Sequence, residues 1–135
     1  MGLDNGIQIK RTPKTNAIEE LKIFNQDWDE ELRYDFEVTY WRKCWNIRND
    51  LIGLGIGYDC GCYPMTAEDI EKTIELLQSY NDDNWEDGGS CIWEFTSDEE
   101  GWSYAEHIKQ DIDSLKILRQ LMDQYELEVY FYDSY

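Results

Sequence analysis

The chain has 135 residues, a length that fits one domain (1–135) able to bury a core without obligatory metals or disulfides. Thirty Asp and Glu against twelve Lys and Arg leave a net charge of −18, which opposes binding to a nucleic-acid backbone or to an anionic membrane. Hydrophobic residues at 41% and aromatics at 15% exclude a disordered acidic tail.

Residues 3 to 10 alternate Leu3, Asn5, Ile7 and Ile9 with polar neighbours, the period of a strand with one buried face, and Pro13 ends it. Ile18, Leu21 and Phe24 allow two helical turns, followed by an acidic connection through Asp27, Asp29, Glu30 and Glu31. Val38, Trp41, Trp45 and Ile52, with Cys44 and Leu51 beside them, recur at spacings of three and four and predict a helix from about Phe36 to Leu54. Gly53, Gly55, Gly57 and Gly61 interrupt regular structure, and Pro64 closes a loop carrying Cys60, Cys62 and Tyr63.

Thr66 and Asp69 mark the start of a second helix, with Ile70, Ile74 and Leu77 on its apolar face as far as Tyr80. Asn81 to Ser90 reads as an acidic turn region, and Cys91 to Phe95 as a short apolar run suited to a strand. The strongest periodicity runs through Ile108, Ile112, Leu115, Leu118, Met122 and Tyr125, a long helix capped by Ser103. Leu127, Val129 and Phe131 alternate with polar or tyrosine residues as a closing strand. Two terminal strands are marginal alone, so the expected architecture is α+β: a small sheet pairing the N- and C-terminal strands, packed against about three helices.

Few constellations carry chemistry. Cys60 and Cys62 are the zinc candidates, but structural zinc usually uses two chelating pairs, and Cys44 and Cys91 stand singly. Asp83, Asp87, Gly88 and Glu94 match part of a calcium loop whose third position, Trp85, has no oxygen to offer. Gly53, Gly55 and Gly57 lack the next glycine of a dinucleotide fingerprint, which is Tyr58, and follow a predicted helix instead of a strand. His107 is the one histidine, and adjacent carboxylates are too common here to single out a pair, so no catalytic residue and no cofactor are assigned. More distinctive is Tyr40-Trp41-Arg42-Lys43, which with Arg48 offers rings and cations for a flat anionic ligand. The plainer reading buries the tryptophans and pairs the cations with surplus acids.

Met1-Gly2-Leu3-Asp4, Glu37-Val38 leading into Tyr40-Trp41-Arg42-Lys43 with Ile47 and Asn49, Cys60-Gly61, Tyr63 and Glu75-Leu76-Leu77 resemble the small phage and prophage proteins that open with Met-Gly-Leu-Asp. The likeness continues through Ile92 to Phe95, Trp102-Ser103-Tyr104 and the Tyr-rich end at Tyr130 to Tyr135. Members often carry histidine at the position of Arg48. The resemblance implies a phage or prophage origin and a bacterial cytoplasm, and it supplies no activity. No basic stretch followed by an apolar run opens the chain and no run of about 20 apolar residues occurs, which agrees with a cytoplasmic protein whose cysteines are free thiols.

The expectation is a non-enzymatic accessory protein that binds and modulates a host or phage protein through an acidic surface, one version being a DNA-mimic inhibitor. The alternative is a nucleotide-like ligand held by Tyr40, Trp41, Arg42, Lys43 and Arg48. Charge separates the two. Residues 1–48 hold eight basic and nine acidic side chains, a net −1, whereas residues 49–135 hold four and twenty-one, a net −17. The first region is expected to suit a small anion and the second a protein partner.

Overall fold

In a computed structural model the described residues are 3–85, 95–96 and 103–135. Strands β1 (Asp4–Ile9), β2 (Phe36–Arg42), β3 (Gly61–Pro64) and β4 (Val129–Ser134) form one antiparallel sheet in the order β2-β1-β4-β3. The terminal strands are therefore neighbours, and the architecture is α+β. The helices are α1 (Pro13–Asn16), α2 (Trp45–Gly53), α3 (Ala67–Ser79) and α4 (Tyr104–Gln124), with a 3-10 helix over Glu19–Phe24. None of them is long and apolar enough to cross a membrane.

Two helix starts follow directly from local chemistry. Thr66 accepts from the Asp69 backbone N–H while Asp69 accepts from the Thr66 backbone N–H, a reciprocal cap that satisfies two donors at the start of α3. Ser103 Oγ accepts from Glu106 N to open α4, whose buried stripe runs Tyr104, Ile108, Asp111, Leu115, Leu118 and Leu121. Helix α4 packs against α3 and β2, and its stripe joins Ile7, Ile9, Phe36, Trp41 and Phe131 of the sheet in one core. Trp85 closes this core beside Tyr80 and Tyr104, with ring centroids 5.2 and 4.8 Å away.

The helix expected over Phe36–Leu54 is instead a strand, a turn and a short helix. The spacing that suggested helix comes from a β-bulge. Ile7 pairs with Thr39 and Gln8 with Glu37, so Val38 is an extra residue and the inward phase slips from Phe36 and Val38 to Thr39 and Trp41. A phase slip in a period of two yields a spacing of three between Val38 and Trp41, which mimics a helical step. The Thr39 hydroxyl accepts from Ile7 N at 3.2 Å inside the bulge. Lys43, at φ 58°, turns the chain from β2 into α2.

Gly6 sits opposite the bulge, where a Cβ would lie 2.2 Å from the Thr39 carbonyl oxygen. Only glycine lets the strands approach so closely. The loop expected around Cys60 to Pro64 contains β3, an edge strand in which Tyr63 pairs with Phe131. Of the strand expected over Cys91–Phe95, residues 91–94 lie outside the described residues, as do Asp87, Gly88 and Glu94 of the calcium-loop match. Phe95 itself is in a bend.

Candidate functional site

Strand alternation divides the sequence-nominated residues between two faces. Trp41 points inward with no exposure, and its indole N–H donates to Asp111 Oδ2 at 2.8 Å. Tyr40 and Arg42 are exposed on the opposite face, and Lys43 is exposed in the turn. Arg48 lies in α2 and is buried. The set expected to converge on a ligand is thus divided, because the residues belong to a strand, a turn and a helix instead of one helical face.

The guanidinium of Arg48 is already committed. Its Nε donates to Asp133 Oδ2 at 2.8 Å, Nη1 donates to Asn49 Oδ1 at 3.3 Å, and Nη2 lies 3.6 Å from Asp59 Oδ1. The Tyr135 and Trp45 rings flank it at 4.8 and 5.2 Å. A hydrogen bond from the Tyr135 hydroxyl and another from Cys60 N hold the Asp59 carboxyl below its usual range against opposing desolvation, with a lesser contribution from the Arg48 charge. Beside this pair, Asn5 is the cross-strand neighbour of Asp133, and both Asn5 amide atoms and Asp133 Oδ1 are buried without a hydrogen-bond partner.

A second buried carboxylate lies beneath Trp41. Burial raises the Asp111 pKa to about 6, opposed by the His107 charge and the Trp41 hydrogen bond. His107 Nε2 is 3.5 Å from Asp111 Oδ2 and 3.2 Å from the Tyr40 carbonyl oxygen, so the side chain covers the free edge of β2. The buried Cys44 thiol donates to the Tyr104 hydroxyl at 2.7 Å. Cys60 and Cys62 are exposed, and among the described residues no three His, Cys, Asp or Glu gather as metal ligands.

The other face of the sheet is open and carries a groove of about 440 Å³. Its floor is the outward set of three strands: Asp4 and Gln8 from β1, Glu37 and Tyr40 from β2, and Tyr132 from β4. Gly6 pairs with both Tyr40 and Tyr132, so the two tyrosines flank a position with no side chain of its own. Trp28 and Tyr34 supply a wall from the loop before β2; they are 64% and 55% exposed, and their ring centroids are 4.7 Å apart.

Polar bonds fix that loop. Asp29 accepts from the Arg33 and Tyr34 backbone N–H groups at 3.0 and 2.8 Å, a turn closed by one carboxylate. Arg11 donates to the Tyr34 carbonyl, Asn16 and Asn25, and its guanidinium lies 3.9 Å from the Phe36 ring centroid. Gln26 donates to the Asp35 carbonyl at 2.8 Å. The exposed rings therefore stand on a braced segment.

Within the groove the Tyr40 hydroxyl donates to Asp4 Oδ1 at 2.6 Å, and burial together with that carboxylate pushes its pKa up to about 12. The Tyr130 hydroxyl donates to Asp35 Oδ2 at 2.5 Å, and Gln8 Oε1 lies 2.6 Å from the same phenol oxygen. Tyr130 and Tyr132 are both raised, chiefly by burial, so these phenols are neutral at physiological pH. Burial also raises Glu37, against a hydrogen bond with Gln8.

Among the described residues, Asp4, Asp35 and Glu37 have no cation within ion-pair distance. Arg42, the cross-strand neighbour of Asp4 on the same face, forms no ion pair with it. The alternation of β1 and β4 made Asp4, Gln8 and Tyr132 legible as outward residues, whereas Glu37 and Tyr40 lay in a segment read as helix, and the placement of Trp28 and Tyr34 beside them depends on the distant Arg11 clamp. No protein-family model, curated protein or solved structure matches the chain.

Proposed function

We propose that this chain is a non-enzymatic accessory protein of the phage or prophage type its sequence resembles, binding and modulating a host or phage protein through an acidic surface. The observation that carries the reading is the outer groove, in which exposed rings on a braced loop adjoin three carboxylates with no cation at ion-pair distance among the described residues. Rigid aromatic side chains give contact area at little entropic cost, and unneutralised carboxylates steer a basic partner into register. The acids of α3 and α4 extend the negative field, and their display in place of phosphates is the DNA-mimic form of the same reading.

An anion site at Tyr40, Trp41, Arg42, Lys43 and Arg48 has less support. Trp41 is enclosed, and the Arg48 charge is met by Asp133 and Asp59. Capture from bacterial lysate at low and moderate salt tests the proposal. The expected result is a basic protein retained by the wild type, weakened by added salt and lost when Trp28 and Tyr34 are both changed to Ala. Retention of no protein at either salt overturns it.

A further inference from the structure

Three features hold chemistry with no ligand class assigned: the buried polar row at Asn5 and Asp133, the exposed Cys60 and Cys62 at the start of β3, and the outer groove. The groove supports the most specific chemistry.

Its walls are aromatic and its floor is negative. Trp28 and Tyr34 line it from the loop, their rings tilted 59° to one another, while Tyr40 and Tyr132 line it from β2 and β4. Ring faces attract cations, and a guanidinium, being planar and weakly hydrated, stacks on them better than a compact ammonium. Asp4 has given one oxygen to Tyr40, and both Asp35 oxygens are occupied, by Arg11 N and by Tyr130. The second oxygen of Asp4 and the Glu37 carboxylate, which shares one hydrogen bond with Gln8, remain as acceptors without a cation among the described residues. Two such acceptors beside ring faces suit a forked donor.

Resting on the binding function above, we propose that the groove takes an arginine side chain of the partner protein, its guanidinium packed among the Trp28, Tyr34, Tyr40 and Tyr132 rings and hydrogen-bonded to Glu37 and Asp4. Charge complementarity selects the occupant. The face offers carboxylates and neutral phenols, and the cation nearest to it in sequence register, Arg42, leaves Asp4 unpaired. Arginine is preferred over lysine because the walls reward planarity and the acceptors reward a fork. A helix face of α3 or α4 offers carboxylates without adjoining exposed rings of this kind, and Glu68 and Glu71 there already meet Lys72 and Arg119.

The test is a nuclear magnetic resonance titration of the full chain with acetylated, amidated Gly-Arg-Gly-Arg-Gly and its lysine and citrulline counterparts. Citrulline keeps the shape of arginine and removes the charge. The expected result is saturable shifts at the Trp28 indole and the Tyr40 and Tyr132 backbone, about tenfold weaker for lysine and absent for citrulline. Trp28→Ala and Glu37→Gln should each weaken arginine binding by about tenfold, while Glu68→Gln with Glu75→Gln, on the exposed side of α3, should leave it unchanged.

Equal binding of arginine and citrulline, absence of saturable shifts, or shifts confined to α3 and α4 would overturn the assignment. The two readings fail separately. A captured partner that ignores Trp28→Ala and Glu37→Gln but is lost with the α3 pair removes the arginine groove and leaves acidic-surface binding standing.

Discussion

Asp133 and Glu37 are carboxylates of the same sheet, on opposite faces, and the protein treats them differently. Beneath the sheet, Asp133 meets Arg48 at 2.8 Å and is sealed from solvent. Above it, Glu37 and Asp4 have no cation at ion-pair distance among the described residues. The strands generate this contrast residue by residue: Asp4 lies outward and Asn5 inward, Tyr40 outward and Trp41 inward, Tyr132 outward and Asp133 inward. A sealed face must neutralise each charge internally because desolvation is expensive, whereas a wet face can leave its charge for a partner. The near-neutral total of residues 1–48 therefore conceals a segregation. Two of its cations are spent on structure, Arg11 bracing a loop and Arg48 under the sheet, while Asp4, Asp35 and Glu37 share the groove.

The sharpest way to break this contrast is to remove the inner cation. Arg48→Ala leaves Asp133 buried and unpaired and should cost about 3–5 kcal/mol in denaturant unfolding. Arg48→Met should recover part of the loss if Asp133 is changed to a neutral residue in the same chain. A loss below about 1 kcal/mol for Arg48→Ala would mean the pair is not what holds that end of the sheet.

Asp111 gives a pH-dependent form of the same test. Its carboxyl is raised from a usual 3.8 to about 6, so the folded state binds its proton more tightly than the unfolded state does. The associated stability is fully present below pH 3.8 and is lost as pH rises through 6. A shift of this size corresponds to a contribution on the order of 3 kcal/mol. Asp111→Asn retains an acceptor for the Trp41 indole and removes the titration. The difference in stability between wild type and variant should therefore fall between pH 4 and 6.5 and level off above. A difference that is flat with pH would place the titrating group elsewhere.

Much of this arrangement was legible in the residues. Alternation at Leu3–Lys10 and Leu127–Phe131 identified the two central strands, and Thr66, Asp69 and Ser103 marked two helix starts, because each of those signals is local. Phe36–Leu54 misled for an equally specific reason. The bulge at Val38 shifted the inward phase by one residue, so Trp41 fell three positions from Val38 and continued a helical spacing into α2. The β-branched and aromatic content of Phe36-Glu37-Val38-Thr39-Tyr40-Trp41 was the contrary signal. Strand β3 was invisible because a four-residue segment holding Gly61 and Pro64 becomes a strand only through its pairing with β4. Tyr40 was nominated from its neighbours in sequence, but its partners in the groove come from β4 and from a loop held by Arg11.

The floor of the groove can be disturbed from the backbone beneath it. Gly6→Ala would place a Cβ 2.2 Å from the Thr39 backbone carbonyl, which has no flexible end to yield. The strands must part or the bulge must move, at a cost of about 1–3 kcal/mol. The same Cβ meets the Tyr132 ring at 3.1 Å, so amide shifts should reach β4 as well as β2. An unfolding midpoint equal to that of the wild type would show that the bulge is adaptable.

The smallest expected effects on stability belong to the groove walls, and there smallness is itself informative. Trp28 is 64% exposed and the loop beneath it is held by Arg11, Asp29 and Gln26, none of which contacts the indole through the bonds that brace the turn. Trp28→Ala should therefore change unfolding stability by no more than about 0.5 kcal/mol. Glu37→Gln removes a carboxylate whose charged form is disfavoured by burial and should be neutral or slightly stabilising at pH 7. A group that supports the fold weakens both stability and binding when removed, whereas a group kept for a partner weakens binding alone. If Trp28→Ala or Glu37→Gln cost several kcal/mol, as Arg48→Ala should, the outer face would belong to the fold in the same sense as the inner one. If stability is unchanged while arginine-peptide binding falls, the two faces of the sheet have separate tasks.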